Sequence, residues 1–258
     1  MIAYSNIPET NLDIPLADGK KIHSIVRGEL NGDAPIVIMM HGRPGNGNEL
    51  LQYLGARYFY ECGITTLRLS MYDYGENYRS IFDCTLDTHI SDFEDVVRYV
   101  RALGSRQIFA LGHSYGGMTI LGSDTRLDGA VLWDPAHGLA WNNSEFDSAD
   151  YPEKVIGDFI IGVGGNGYVY PSKQKTYDEA LGDTTHWAAG KDYPTKYILA
   201  SAGPLAAYAK RYYEVATAPK ELVEIADAHH QFEDNDEVVE QLLHETAAFV
   251  THYSQSSL

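Results

Sequence analysis

Ser114 stands between glycines in Gly112-His113-Ser114-Tyr115-Gly116-Gly117, the G-x-S-x-G pattern of a nucleophile elbow. A serine hydroxyl attacks carbon only when a base takes its proton and its oxygen stands clear of the surrounding chain. The turn that presents it must therefore be tight and strained. Gly112 and Gly116 are expected to leave room for that turn, because a Cβ at either position would crowd the chain passing beside it. The chemistry such a serine performs builds negative charge on an oxygen, and a helix that starts at the serine points its free backbone N–H groups at that charge.

The elements on either side suit this task. Ile108 to Leu111 is a short apolar run that reads as a strand, and Gly117 to Leu121 reads as the start of a buried helix. Upstream, Leu12 to Leu16 and Lys21 to Val26 alternate apolar with polar residues around Ala17-Asp18-Gly19, the pattern of a hairpin. Ala34 to Met40 is continuously apolar, as in a strand buried on both faces of a parallel sheet, and it stops at His41-Gly42-Arg43-Pro44-Gly45. Leu50, Leu51, Leu54 and Tyr58 then predict a helix, with Asn48 as its N-cap and Gly63 as its stop. Ile64 to Leu69 is the next strand, and Tyr72 to Asp83 is expected to be a solvated loop, with Tyr72, Asp73, Tyr74 and Arg79 as alternative pocket-lining residues. Phe93, Val96, Val97, Val100 and Leu103 mark one face of a second helix closed by Gly104.

After the elbow come strands at Ala130 to Trp133, Tyr197 to Ala200 and Leu222 to Ala226. Helices are expected at Leu205 to Val215 and from Val238 to Val250. Strands alternating with helices predict a mostly parallel sheet covered on both faces, built as one domain over residues 1–258. The interval after the sixth strand is too long for a plain connection, so residues 138–193 are read as an inserted cap. Its aromatic residues Trp141, Tyr151, Phe159, Tyr168, Tyr170 and Trp187 could line an apolar pocket or pack the cap onto the body. Gly162-Val163-Gly164-Gly165-Asn166-Gly167 formally matches a dinucleotide fingerprint, but Tyr168-Val169-Tyr170-Pro171 behind it looks extended, so a hairpin or loop is expected instead.

Composition narrows the partners. A formal net charge of −17 over 258 residues argues against nucleic acid and anionic membranes, and no apolar run reaches bilayer length. Met1 to Thr10 lacks the pattern of an export signal, so a cytoplasmic enzyme is expected, with Cys62 and Cys84 as free thiols and homo-oligomerisation left open. No H-x-H, H-E-x-x-H or Cys/His cluster is present among the ten histidines, so neither a metal nor another cofactor is expected.

Three stretches, in this order, resemble the α/β-hydrolase-fold enzymes: His41-Gly42-Arg43-Pro44-Gly45, the Ser114 elbow, and Ala228-His229-His230-Gln231-Phe232 before the last helix. The resemblance covers nearly the whole chain apart from the cap. It implies an α/β-hydrolase fold and a triad in the order Ser, acid, His. Family loops commonly carry the histidine two residues before a phenylalanine, which selects His230 over His229. Ser114 would attack, His230 would take and return the proton, and the backbone N–H groups of Arg43 and Tyr115 would hold the oxyanion. His41 and His113 are read as structural.

The acid departs from the pattern. Most members place it where this chain has Ser201-Ala202-Gly203-Pro204, which has no carboxylate. Some place it after the preceding strand, where Asp134 follows Trp133, although an Asp-Pro turn would also explain that residue. A dyad, or a cap carboxylate such as Asp158, is the alternative. The implied activity is cleavage of a carboxylic ester, lactone or thioester of a small molecule through an acyl-enzyme. Amidase, C–C hydrolase and acyltransferase chemistry, or a non-catalytic ligand-binding role on the same fold, stay open. A serine elbow excludes dehalogenases and epoxide hydrolases that need a carboxylate nucleophile.

Overall fold

The apolar run before His41 sets the layering. In the computed structural model, which describes residues 8–72, 74–141, 154–163, 169–173 and 182–255, this run is strand β3 (Ile36–Met40) and all five residues are buried. Val37 and Met39 face one way; Ile36, Ile38 and Met40 face the other. Such a strand needs cover on both sides. On one side lie α1 (Leu50–Glu61) and α7 (Asp236–Gln255), whose Phe59, Leu242 and Phe249 pack with Val37, Met39 and Trp133. On the other lie α2 (Leu86–Ala102), α3 (Tyr115–Gly122) and α6 (Ala206–Val215), with Phe93, Val96, Ile120 and Tyr212.

The sheet between them has eight strands. They are β1 (Thr10–Pro15), β2 (Lys21–Arg27), β3, β4 (Thr65–Ser70), β5 (Ile108–His113), β6 (Gly129–Trp133), β10 (Thr195–Ala200) and β11 (Lys220–Ile225). Their spatial order is β1-β2-β4-β3-β5-β6-β10-β11. The hairpin strands β1 and β2 run antiparallel, β2 also pairs antiparallel with β4, and every other pair is parallel. The expected turn closes the hairpin: Gly19 takes φ 86° and the Lys20 N–H donates to Asp18 Oδ1 at 3.0 Å.

Register decides what meets at the carboxyl edge. Met40 on β3 lies opposite Gly112 on β5, and His113 lies opposite Trp133 on β6. The residues that follow these pairs, namely His41 and Gly42, Ser114, and Asp134, therefore leave three neighbouring strands at one level. Ala200 on β10 pairs with Ile225 on β11, which brings the histidine loop 226–235 to the same edge. In parallel sheets this edge is where ligands collect.

Between β6 and β10 lie α4 (Gly138–Trp141), a separate antiparallel sheet of β7 (Lys154–Ile156), β8 (Phe159–Val163) and β9 (Val169–Lys173), and α5 (His186–Ala189). Val163 pairs with Val169, and the segment after the glycine-rich stretch is the strand β9, as a hairpin requires. The two stems of this insertion are tied together. The His137 Nε2–H donates to Thr185 Oγ1 at 2.9 Å, and Tyr212 Oη lies 2.6 Å from Thr184 Oγ1 and donates to the Ala136 carbonyl at 3.1 Å. No helix among the described residues is long and apolar enough to cross a membrane.

Two local expectations need correction. Asn48 does not cap α1; Glu49 holds that position without a side-chain bond, while the Asn48 N–H is taken by Asn46 Oδ1 at 2.8 Å in a turn of its own. The segment after β4 is not a solvated loop throughout, since Tyr72 and Arg79 are buried and Asp73 lies outside the described residues. Arg79 holds both Asp92 oxygens, at 2.7 and 2.8 Å, and Asp18 at 2.8 Å, so it straps the loop to α2 and the hairpin turn.

Candidate active site

Strand β5 ends at His113 and α3 begins at Tyr115, leaving Ser114 alone in the turn with φ 52° and ψ −115°. A non-glycine residue held there stores about 1–3 kcal/mol of strain. The turn closes because its neighbours have no Cβ. A Cβ on Gly112 would sit 2.5 Å from the Gly117 nitrogen, and one on Gly116 would sit 2.8 Å from the His41 carbonyl oxygen. Ser114 occupies the N-cap position of α3, yet its side chain makes no capping bond, so the hydroxyl is not used by the helix. Tyr115 is the first residue of that helix.

Asp134 leaves β6 with φ 40° and is fully buried. Its Oδ1 accepts from the Ala200 N–H at 3.4 Å, and its Oδ2 lies 2.6 Å from His230 Nδ1. A buried carboxylate needs such partners, and the imidazole supplies the nearer one. Gly203, at the position that lacks the usual acid, lies against this carboxylate, where an added Cβ would be 3.3 Å from Oδ2. His230 is half-buried, and its ring centroid is 4.8 Å from that of His113, the residue before the serine. Among the described residues no hydrogen bond joins Ser114 Oγ to His230, a contact that commonly tightens only when substrate is bound.

The neighbouring His229 points elsewhere. It is exposed, with its Nδ1 2.6 Å from Asp234 Oδ1 and its backbone N–H on Asp234 Oδ2 at 2.9 Å. Asp158 is exposed in the β7–β8 turn.

The Arg43 N–H belongs to the loop after β3, and residues to which the sequence analysis gives no such role hold that loop in place. Tyr72 Oη accepts from the Gly45 N–H at 3.1 Å, Ser70 Oγ from the Gly47 N–H at 3.1 Å, and Arg68 Nη1 donates to the Gly47 carbonyl at 2.9 Å. The only signal for them is that β4 neighbours β3, which emerges with the sheet order. Inside the loop, the His41 Nδ1–H donates to the Gly42 carbonyl at 2.7 Å and Nε2 accepts from the Met71 N–H at 3.1 Å. Burial pushes His41 down to about 4, so the ring is neutral and structural. Glu49 beside Gly45 is pushed up to about 8, first by burial and then by the charge of Glu233.

Of the aromatic residues between 138 and 193, Trp187 packs with Leu86, Tyr115, Met118 and Ala136, and Phe159 meets Phe82 edge-on at 5.4 Å. The side chains of Trp141, Tyr151, Tyr168 and Tyr170 lie outside the described residues. No group of three or more metal-ligating side chains occurs among the described residues.

Solved structures repeat this architecture. A complex of ferulic acid with Est1E from Butyrivibrio proteoclasticus has a TM-score of 0.77 at 18% identity, over 94% of this chain and 98% of that one. The α/β hydrolase GrgF from Penicillium sp. sh18 has a TM-score of 0.75 at 17% identity, over 96% and 100%. An esterase from Exiguobacterium antarcticum has a TM-score of 0.69 at 16% identity, over 94% and 100%. Identities this low establish a shared fold only. Among curated proteins, none matches the chain in sequence. The sequence model of the alpha/beta hydrolase family, however, matches residues 37–241, from β3 through the elbow and the histidine loop into α7, and the chain belongs to that family.

Proposed function

We propose that the protein is a serine hydrolase that cleaves a carboxylic ester, lactone or thioester of a small molecule through an acyl-enzyme on Ser114. The observation that carries this reading is the convergence of Ser114, Asp134 and the His230 ring at one sheet edge, with the 2.6 Å contact between Asp134 Oδ2 and His230 Nδ1. That contact leaves Nε2 as the nitrogen that can serve as base.

Ser114 Oγ adds to the carbonyl carbon while its proton passes to His230 Nε2. The resulting oxyanion lies between the backbone N–H groups of Arg43 and Tyr115. Asp134 accepts from Nδ1–H, which holds the ring in one tautomer and stabilises the imidazolium. Collapse of the adduct expels the alcohol or thiol, which takes the proton from His230. Water then repeats the sequence on the acyl-enzyme, yielding the acid and free Ser114. The whole chain acts as one domain, with residues 138–193 as a cap over this edge. A cytoplasmic setting fits its two cysteines, Cys62 and Cys84, neither of which is in a disulfide.

Fluorophosphonate labelling followed by a panel of esters, lactones, thioesters and amides tests this reading. We expect one adduct, on Ser114, and turnover of at least one carboxylic ester class. A folded protein that takes no label would favour a non-catalytic binding role. Turnover confined to amides would overturn the ester assignment.

A further inference from the structure

We infer that His113 is a positioning residue, whose imidazole sets the histidine loop and the oxyanion loop in register with Ser114. The inference rests on the reading of Ser114 and His230 as nucleophile and base.

His113 Nε2 lies 2.8 Å from the His230 carbonyl oxygen. A carbonyl only accepts, so the proton is on Nε2 and the ring donates. The opposite nitrogen faces the other loop: a Cβ built on Gly42 would meet His113 Nδ1 and Ser114 Cβ, each at 3.2 Å. One buried ring thus borders the space beside Gly42, the residue before Arg43, which offers the oxyanion donor, and grips the backbone of the residue that offers the base. Burial, aided by the charge of His230, pushes the His113 imidazole down to about 3, so its single proton stays where the geometry needs it.

The histidine loop needs such a grip. It runs between β11 and α7 and passes through positive φ twice, at Asp227 (59°) and Phe232 (52°). Its other anchors are placed around the ring-bearing residue and not on it. Phe232 is buried, the Ala202 N–H donates to the Ala228 carbonyl at 2.9 Å, and the Asp227 N–H donates to Ser201 Oγ at 2.9 Å. Among the described residues, the bond from His113 is the one that reaches the His230 backbone itself. Its loss lets the base drift against Ser114, and a misplacement of ~1 Å costs about 100-fold in rate.

Chain geometry offers a matched pair of variants. A glutamine amide nitrogen reaches about as far from the backbone as imidazole Nε2, whereas an asparagine amide reaches only as far as Nδ1. His113→Gln should keep kcat within about 5-fold of the parent, while His113→Asn should lower kcat by about 10- to 100-fold with KM nearly unchanged. Equal kcat for the two variants, whether both high or both low, would overturn the inference. If His113→Asn does not fold, the tautomer in the parent protein decides: ¹⁵N shifts should show a neutral Nε2–H ring at pH 7, and an Nδ1–H or charged ring would overturn it. His230→Ala, assayed alongside, separates the two levels. An active His230→Ala enzyme sinks the assignment of the base, whereas an inactive one beside a fully active His113→Asn sinks only the role of His113.

Discussion

Two adjacent histidines in the loop after β11 each pair with a carboxylate, and at the same distance. His230 Nδ1 is 2.6 Å from Asp134 Oδ2, and His229 Nδ1 is 2.6 Å from Asp234 Oδ1. Distance does not distinguish them; location does. Asp134 is fully buried at the end of β6, 96 residues from its partner, whereas Asp234 is five residues from His229 on the rim. The rim pair forms within one loop and faces water, where such contacts contribute at most about 1 kcal/mol. The crevice pair forms only when β6 and β11 enter the same sheet, and it shares an edge with Ser114. A hydrogen-bonded imidazole is therefore a candidate base because of what else reaches it.

The comparison is sharpest in activity. Ser114→Ala should lower kcat by about 10⁴-fold or more in a protein that melts like the parent, measured by steady-state turnover and thermal unfolding. His230→Ala should come close to that loss, while His229→Ala should stay within about 3-fold of the parent. If His229→Ala is the inactive variant, the two pairs have exchanged roles.

Asp134→Asn should reduce kcat by about 10²- to 10⁴-fold with little change in KM, because a carboxylate facing the ring matters most when the ring is charged. Asp234→Asn should leave kcat within about 2-fold. A near-parental Asp134→Asn enzyme would reduce the crevice pair to a structural contact and favour a Ser-His dyad or a cap carboxylate.

The smallest effect is on stability. Burial acts to raise the Asp234 carboxyl, but the hydrogen bonds from the His229 backbone and ring outweigh it and hold the group below its ordinary value of 3.8. A carboxyl lowered on folding stabilises the protein above its unfolded pKa, and that contribution is lost as pH falls through the folded one. Asp234→Asn should therefore lower the melting temperature by no more than about 2–4 °C at pH 7, with the gap closing on acidification below about pH 4. A gap that widens on acidification would show that the rim pair does not follow this linkage.

Much of this arrangement is legible in local sequence. The run Ile36–Met40, the amphipathic faces of α2 and α7 and the glycines around Ser114 each state their structure within a few residues, because periodicity and backbone sterics act locally. Asp134 is nameable as a candidate because it follows an apolar strand. Its contact with His230 is not, since an Asp-Pro turn and a buried acid read alike until β6 lies beside β10 and β11. The same limit hid the part that Tyr72, Ser70 and Arg68 play in holding the loop after β3 and made Arg79 look solvated, since each takes its partner from a segment 13 or more residues away in the chain. His113 is the plainest case. Its place before the serine can be read from sequence, but the 2.8 Å bond to the His230 carbonyl exists only because the loop after β11 reaches past β10 and β6 to the end of β5. Local sequence determined the elements and the glycine-flanked turn at Ser114, while sheet order and register, which depend on the burial of both faces at once, decided which side chains face each other across the crevice.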